Sequence, residues 1–99
     1  MNNVKLALLG VPEIEEKLLD QLLLHPSVSA FVSQRAAYHG GHPASFDASE
    51  QVLGRADAVL VQALMSSDDA QALMSDLKRV FTGAGLRYWL TPILAEGEF

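Results

Sequence analysis

Two histidines separated by two glycines, His39-Gly40-Gly41-His42, are the side chains of this chain best spaced for chemistry. Paired imidazoles suit first-row transition metals, and the intervening glycines leave the backbone free to curl until both rings converge. Two nitrogens alone hold a divalent ion weakly, so a third or fourth ligand would have to come from Asp47, Glu50 or a neighbouring subunit. The competing reading is a pair of solvated histidines beside a flexible turn, and spacing alone favours it over the metal site. At the far end of the same stretch, the Arg55 guanidinium could clamp an anion or a neighbouring protomer's carboxylate through paired hydrogen bonds. The reading favoured for it is plainer: an arginine that anchors the stretch to its own domain.

Other chemistries lack their residues. There is no cysteine, which excludes disulfides, thiolate catalysis and thiolate metal sites. No Gly-x-Ser-x-Gly elbow, P-loop or His-Glu-x-x-His helix is present, and the scattered serines and histidines form no recognisable triad, so the chain is expected not to be an enzyme. His25 directly follows an apolar helical pattern and is expected to contact the last carbonyls of that helix.

The formal net charge is −5, and the carboxylates gather at Glu13, Glu15, Glu16 and Asp20 and again at Asp68, Asp69 and Asp76. These runs read as solvated helix faces. Nucleic-acid binding needs a basic stripe, whereas the seven Lys and Arg residues are dispersed. No apolar run reaches bilayer length and the first residues carry no cleavage pattern, so a soluble cytoplasmic protein without direct membrane insertion is expected.

The elements that must position these residues follow from periodicity. Val4 to Leu9, ending at Gly10, reads as a buried strand. A helix follows with Pro12 at its first position, acidic residues in its first turn, and Ile14, Leu18, Leu19, Leu22 and Leu23 on one apolar face. Ser29 to Tyr38 reads as a second strand, Ala58 to Leu64 as a central one, and Leu86 to Thr91 as the last, with Pro92 closing its regular pairing. Between the last two, Ser66 or Ser67 with Asp68 and Asp69 starts a helix that continues through Ala70, Leu73, Met74, Leu77 and Phe81 and stops at Gly83 and Gly85. Tyr88 and Trp89 must point to opposite sheet faces, one under the helices and one suited to a subunit interface, unless both simply pack in the core.

With 99 residues the chain is expected to form a single domain, 1–99. Its element order predicts an α+β, ferredoxin-like βαββαβ fold, a four-stranded antiparallel sheet with two helices on one face. The second face must then meet water or a partner. A hydrophobic fraction of 49% favours an oligomer. The stretch from His39 to Arg55 is longer than the usual strand connection, and long connections of this kind commonly carry function.

Within this superfold, absences narrow the function. A heavy-metal-associated domain needs Cys-x-x-Cys, an acylphosphatase needs an arginine-bearing phosphate loop after its first strand, and an RNA-recognition domain needs aromatic and basic residues on its central strands. None is present here. The segments His39-Gly-Gly-His42, Ser49-Glu-Gln-Val-Leu-Gly-Arg55 and Tyr88-Trp-Leu-Thr-Pro-Ile-Leu-Ala-Glu-Gly97 resemble the PII-like proteins of the nitrogen regulatory protein PII superfamily, and within them the short DUF3240 branch.

That resemblance implies a signal-transduction protein assembled as a trimer, with the 39–55 stretch as its effector loop and a role in metal homeostasis beside a metal-efflux or other membrane transporter. It departs from ATP-binding PII proteins at Thr82-Gly-Ala-Gly85, where they carry a Gly-Asp-Gly-Lys loop, and Tyr38 stands at the start of the loop rather than at its tip. Neither nucleotide binding nor uridylylation is expected. The alternative is an ACT-like small-molecule binding module acting at a subunit interface.

Overall fold

The computed structural model describes residues 3–40 and 54–99. In chain order these form strand β1 (Asn3–Gly10), a 3-10 turn (Pro12–Ile14), helix α1 (Glu15–Leu24), strand β2 (Val32–His39), strand β3 (Arg55–Ser66), helix α2 (Ser67–Phe81) and strand β4 (Arg87–Pro92). The strands make one antiparallel sheet in the order β2-β3-β1-β4. This is the expected ferredoxin-like arrangement, with adjusted boundaries. Pro12 opens a 3-10 turn ahead of α1 rather than the α-helix itself. β2 starts at Val32, three residues later than Ser29, because Phe31 turns in to pack against the core. β3 runs past both ends of 58–64, since pairing with β1 and β2 satisfies its backbone even where its side chains are polar.

Alternation along the strands fixes two faces. Leu6 and Leu8 of β1 stand opposite Ala63 and Val61 of β3, and all are buried in one cluster with Leu18 and Leu22 of α1 and Ala70, Leu73, Leu77 and Phe81 of α2. Leu23 departs from the expected stripe and is 70% exposed. Leu18 and Leu22 lie almost one turn apart, whereas Leu23 is rotated about 100° further round the helix and faces out. α2 begins as its sequence predicts: the Ser66 hydroxyl accepts the Asp69 N–H at 3.1 Å, with acids in the first turn and Lys78 and Arg79 in the last.

Among the described residues no helix covers the opposite face. Ala7 of β1 and Ala58 of β3 are nevertheless buried there, and Leu9 and Leu60 half-buried. Around them Val32, Leu64 and Trp89 are 63%, 49% and 43% exposed. Tyr88 and Trp89 do take opposite faces, as expected. Tyr88 lies on the helix side yet stays 58% exposed, because β4 is an edge strand at the margin of the helix layer.

His25 corrects another expectation. Its backbone N–H meets the Leu22 carbonyl at 3.3 Å, but its ring does not cap α1. Nδ1 accepts the Ser27 N–H at 3.1 Å, which leaves Nε2 to donate to Asp76 Oδ2 of α2 at 2.7 Å. Arg79 donates to the other Asp76 oxygen at 3.1 Å. The ring thus ties the end of α1 to α2, and its hydrogen bond, aided by Arg79, holds the Asp76 carboxyl below its ordinary value against the opposing effect of desolvation.

Two outcomes are expected. In urea unfolding at neutral pH, Leu73→Ala should cost about 2–5 kcal/mol, while Leu23→Ala should stay within about 0.5 kcal/mol of the parent. A group whose folded pKa is depressed stabilises the fold above its unfolded value of 3.8 and loses that contribution as pH falls through the folded value. The stability difference between the parent and Asp76→Asn should therefore be constant from pH 7 to about pH 5 and shrink toward zero as acid protonates Asp76.

Candidate functional site

One ladder position frames the 40–54 connection. His39 ends β2 directly opposite Arg55, which begins β3. Gly40 and Gly54, the next residues on either side, have φ of 86° and 70°. This left-handed region suits glycine, so the chain leaves and re-enters the ladder through residues able to turn it sharply. β1 stops at Gly10 opposite Val59, which leaves the rungs from Ala36–Ala58 to His39–Arg55 without a β1 neighbour. The end of the β2–β3 hairpin overhangs the rest of the sheet.

Directly opposed residues share a face. His39 and Arg55 therefore lie together on the helix side, both exposed, on the same face as Arg35, which pairs with Glu15 at 2.8 Å. The Arg55 side chain makes no ion pair or hydrogen bond among the described residues. It therefore anchors nothing there, and it stands where an anion or an incoming carboxylate can reach it.

A dication on His39 would share that face with a guanidinium, so carboxylate ligands would have to offset the charge. His42, Asp47 and Glu50, the other expected ligands, lie outside the described residues. Among the described residues no group of three or more His, Asp or Glu side chains is arranged to hold a metal ion.

On the other face, the Tyr38 hydroxyl accepts a hydrogen bond from Arg87 Nη1 at 3.0 Å. This contact spans from the overhanging hairpin to β4 across the end of β1. Beneath it is a cavity of about 200 Å³, lined by Leu9, Val11, Tyr38, Ala58, Gly85 and Arg87. An apolar floor with a guanidinium and a phenol at its rim suits a small ligand carrying negative charge. Arg87 escaped the sequence reading because it stands alone in an aromatic strand. Two features could have marked it: strict alternation puts it on the same face as Trp89, and it lies two residues after Gly85.

The neighbouring turn, Thr82–Gly85, has a structural role. The Thr82 hydroxyl donates to the Lys78 carbonyl, and the Ala84 N–H to the Phe81 carbonyl at 2.9 Å, so the turn completes the end of α2. No residue from 82 to 85 carries a charge.

Known proteins share this architecture. The family model described as a protein of unknown function (DUF3240) matches residues 1–99. The crystal structure of a DUF3240 family protein from Shewanella baltica aligns with a TM-score of 0.80 at 18% identity, covering 100% of this chain and 98% of that one. CPII, a nitrogen regulatory PII-like protein from Thiomonas intermedia whose structure holds ADP, AMP and bicarbonate, aligns with a TM-score of 0.73 at 13% identity over 100% of this chain and 98% of its own. The GlnK–ATP complex of B. subtilis gives 0.68 at 15% identity, covering 93% and 82%. No curated protein matches the sequence.

Proposed function

The chain belongs to the DUF3240 family, and on that footing we propose that it is a non-enzymatic regulatory protein of the PII type, a single domain whose 40–54 connection responds to a small ligand. The His39–Arg55 rung carries this reading. It holds both ends of the connection on an overhanging hairpin, so one binding event at that end of the sheet acts on both at once. A change in such a segment is one that a partner protein can read.

The effector in this reading is a divalent transition metal bound by His39 and His42 with help from Asp47, Glu50 or a neighbouring subunit. The partner is a metal-efflux or related transport system, reached from the cytoplasm. Among the described residues no helix is long and apolar enough to cross a membrane, so contact with a transporter would be made by docking. Nucleotide binding, which the structures of CPII and GlnK name, is not extended to this chain, because Thr82–Gly85 offers no basic side chain to a phosphate.

The open sheet face supports a homotrimer. Trp89, Leu64 and Val32 are exposed there around the buried Ala7, and covering these residues is the gain that association offers. A second reading, an ACT-like module that binds its ligand at a subunit interface, is favoured by the Tyr38–Arg87 contact, which borders this same face above an apolar cavity.

Titration calorimetry with zinc, copper, nickel and cobalt is expected to give binding at about micromolar strength or tighter for at least one metal, and about tenfold weaker binding for the His39→Ala, His42→Ala double variant. Equal binding by the two proteins would rule out the metal reading, and heat from ATP would overturn the account of Thr82–Gly85. Light scattering should give the mass of a trimer, and Trp89→Glu with Leu64→Glu should move it toward the monomer while the fold, followed by circular dichroism, persists. A parent protein that is already monomeric would contradict the assembly.

A further inference from the structure

We propose that the segment after β4, Ile93-Leu-Ala-Glu-Gly-Glu-Phe99, is an arm that docks into the groove between α2 and β4 of a second copy of this chain. The proposal rests on self-association, argued above from the open sheet face, but it concerns a different surface.

The arm begins with a fixed direction. The Ile93 N–H donates to the Asn3 carbonyl at 3.2 Å, one step beyond the Val4–Pro92 rung, so the chain is carried straight on past the start of β1. Beyond that bond it makes no hydrogen bond or ion pair among the described residues, and Leu94 and Phe99 are fully exposed. In an extended arm Ile93, Ala95 and Phe99 fall on one face, and Glu96 and Glu98 on the other with Leu94. That is the pattern of a strand that lays an apolar side on a surface and keeps its charges at the margin.

The groove has the matching character. It measures about 580 Å³ and runs along α2 beside β4, with Met74, Leu77, Phe81, Leu86 and Tyr88 in its walls and Lys78 at its rim. Lys78 has no ion pair among the described residues and would meet Glu96 or Glu98 of the arm. Among the described residues β4 pairs only with β1, so there its outer N–H and C=O groups are open to an added strand.

A second copy suits the groove better than the arm's own chain does. To fill its own groove the arm would have to reverse immediately after Ile93, against the direction that the Asn3 bond imposes. Entering the next copy needs no reversal. A contact of one surface with a different surface on the next copy closes into a ring when the rotation permits, as in a cyclic trimer.

Photo-cross-linking tests this with the intact chain carrying benzoylphenylalanine at position 99. Irradiation is expected to give covalent species of doubled mass on a denaturing gel, with peptide mapping placing the joined residue between Met74 and Tyr88. Lys78→Glu should lower the yield several-fold, and Glu96→Lys with Glu98→Lys added to that variant should restore it. Products of single-chain mass only, attachment outside the groove, or indifference to the charge exchange would each overturn the arm. Light scattering on the same sample separates the two ideas. A trimer with none of the expected cross-links removes the arm and leaves the sheet-face assembly standing, whereas a monomer removes both.

Discussion

Two helices can cover only one face of a four-stranded sheet, and most of what distinguishes this molecule follows from that limit. α1 and α2 bury Leu6, Leu8, Val59 and Val61 on their side. On the other side the central strands carry Ala7, Leu9, Ala58 and Leu60 beside Lys5 and Gln62, and no helix among the described residues lies over them. A solitary soluble domain would place polar residues at such positions. Here most central side chains are small or aliphatic, with Lys5 and Gln62 among them, and larger apolar ones stand at the rim, a composition that resembles an interface more than a water-facing sheet.

The β1–β3 ladder is the frame on which these faces are built. Its eight paired positions set where each flanking strand begins and ends. At one end β1 stops early and the β2–β3 hairpin runs on, which brings His39, Arg55, Tyr38 and Arg87 to the same extremity of the sheet. At the other end the start of β1 receives Ile93 and directs the last residues outward. The long connection and the outgoing last residues thus leave from opposite ends of one ladder.

The fold was legible because its signals are local. A serine cap with two aspartates marks α2, a run of branched residues marks β3, and proline and glycine mark the breaks. Leu23 was misplaced because a leucine-rich helix offers more apolar positions than its one buried face can take. His25 was misplaced because its partner, Asp76, lies 51 residues away on another helix, and no local pattern reports such a pairing. The site was half legible for the same reason. His39 and Arg55 stand out as the borders of an unusual stretch, whereas the Tyr38–Arg87 contact joins strands 49 residues apart and exists only once the sheet has formed.

The rung that joins His39 to Arg55 also bears on how such a protein can change over time. Because the β2–β3 pairing already holds the two chain ends together, the entropy lost in closing the connection varies only with the logarithm of its length, and doubling that length would cost only about 0.6 kcal/mol. Closure entropy alone therefore sets little limit on the length of the connection between Gly40 and Gly54. Chains that share this frame can therefore differ in the length of that connection without altering the ladder that closes it.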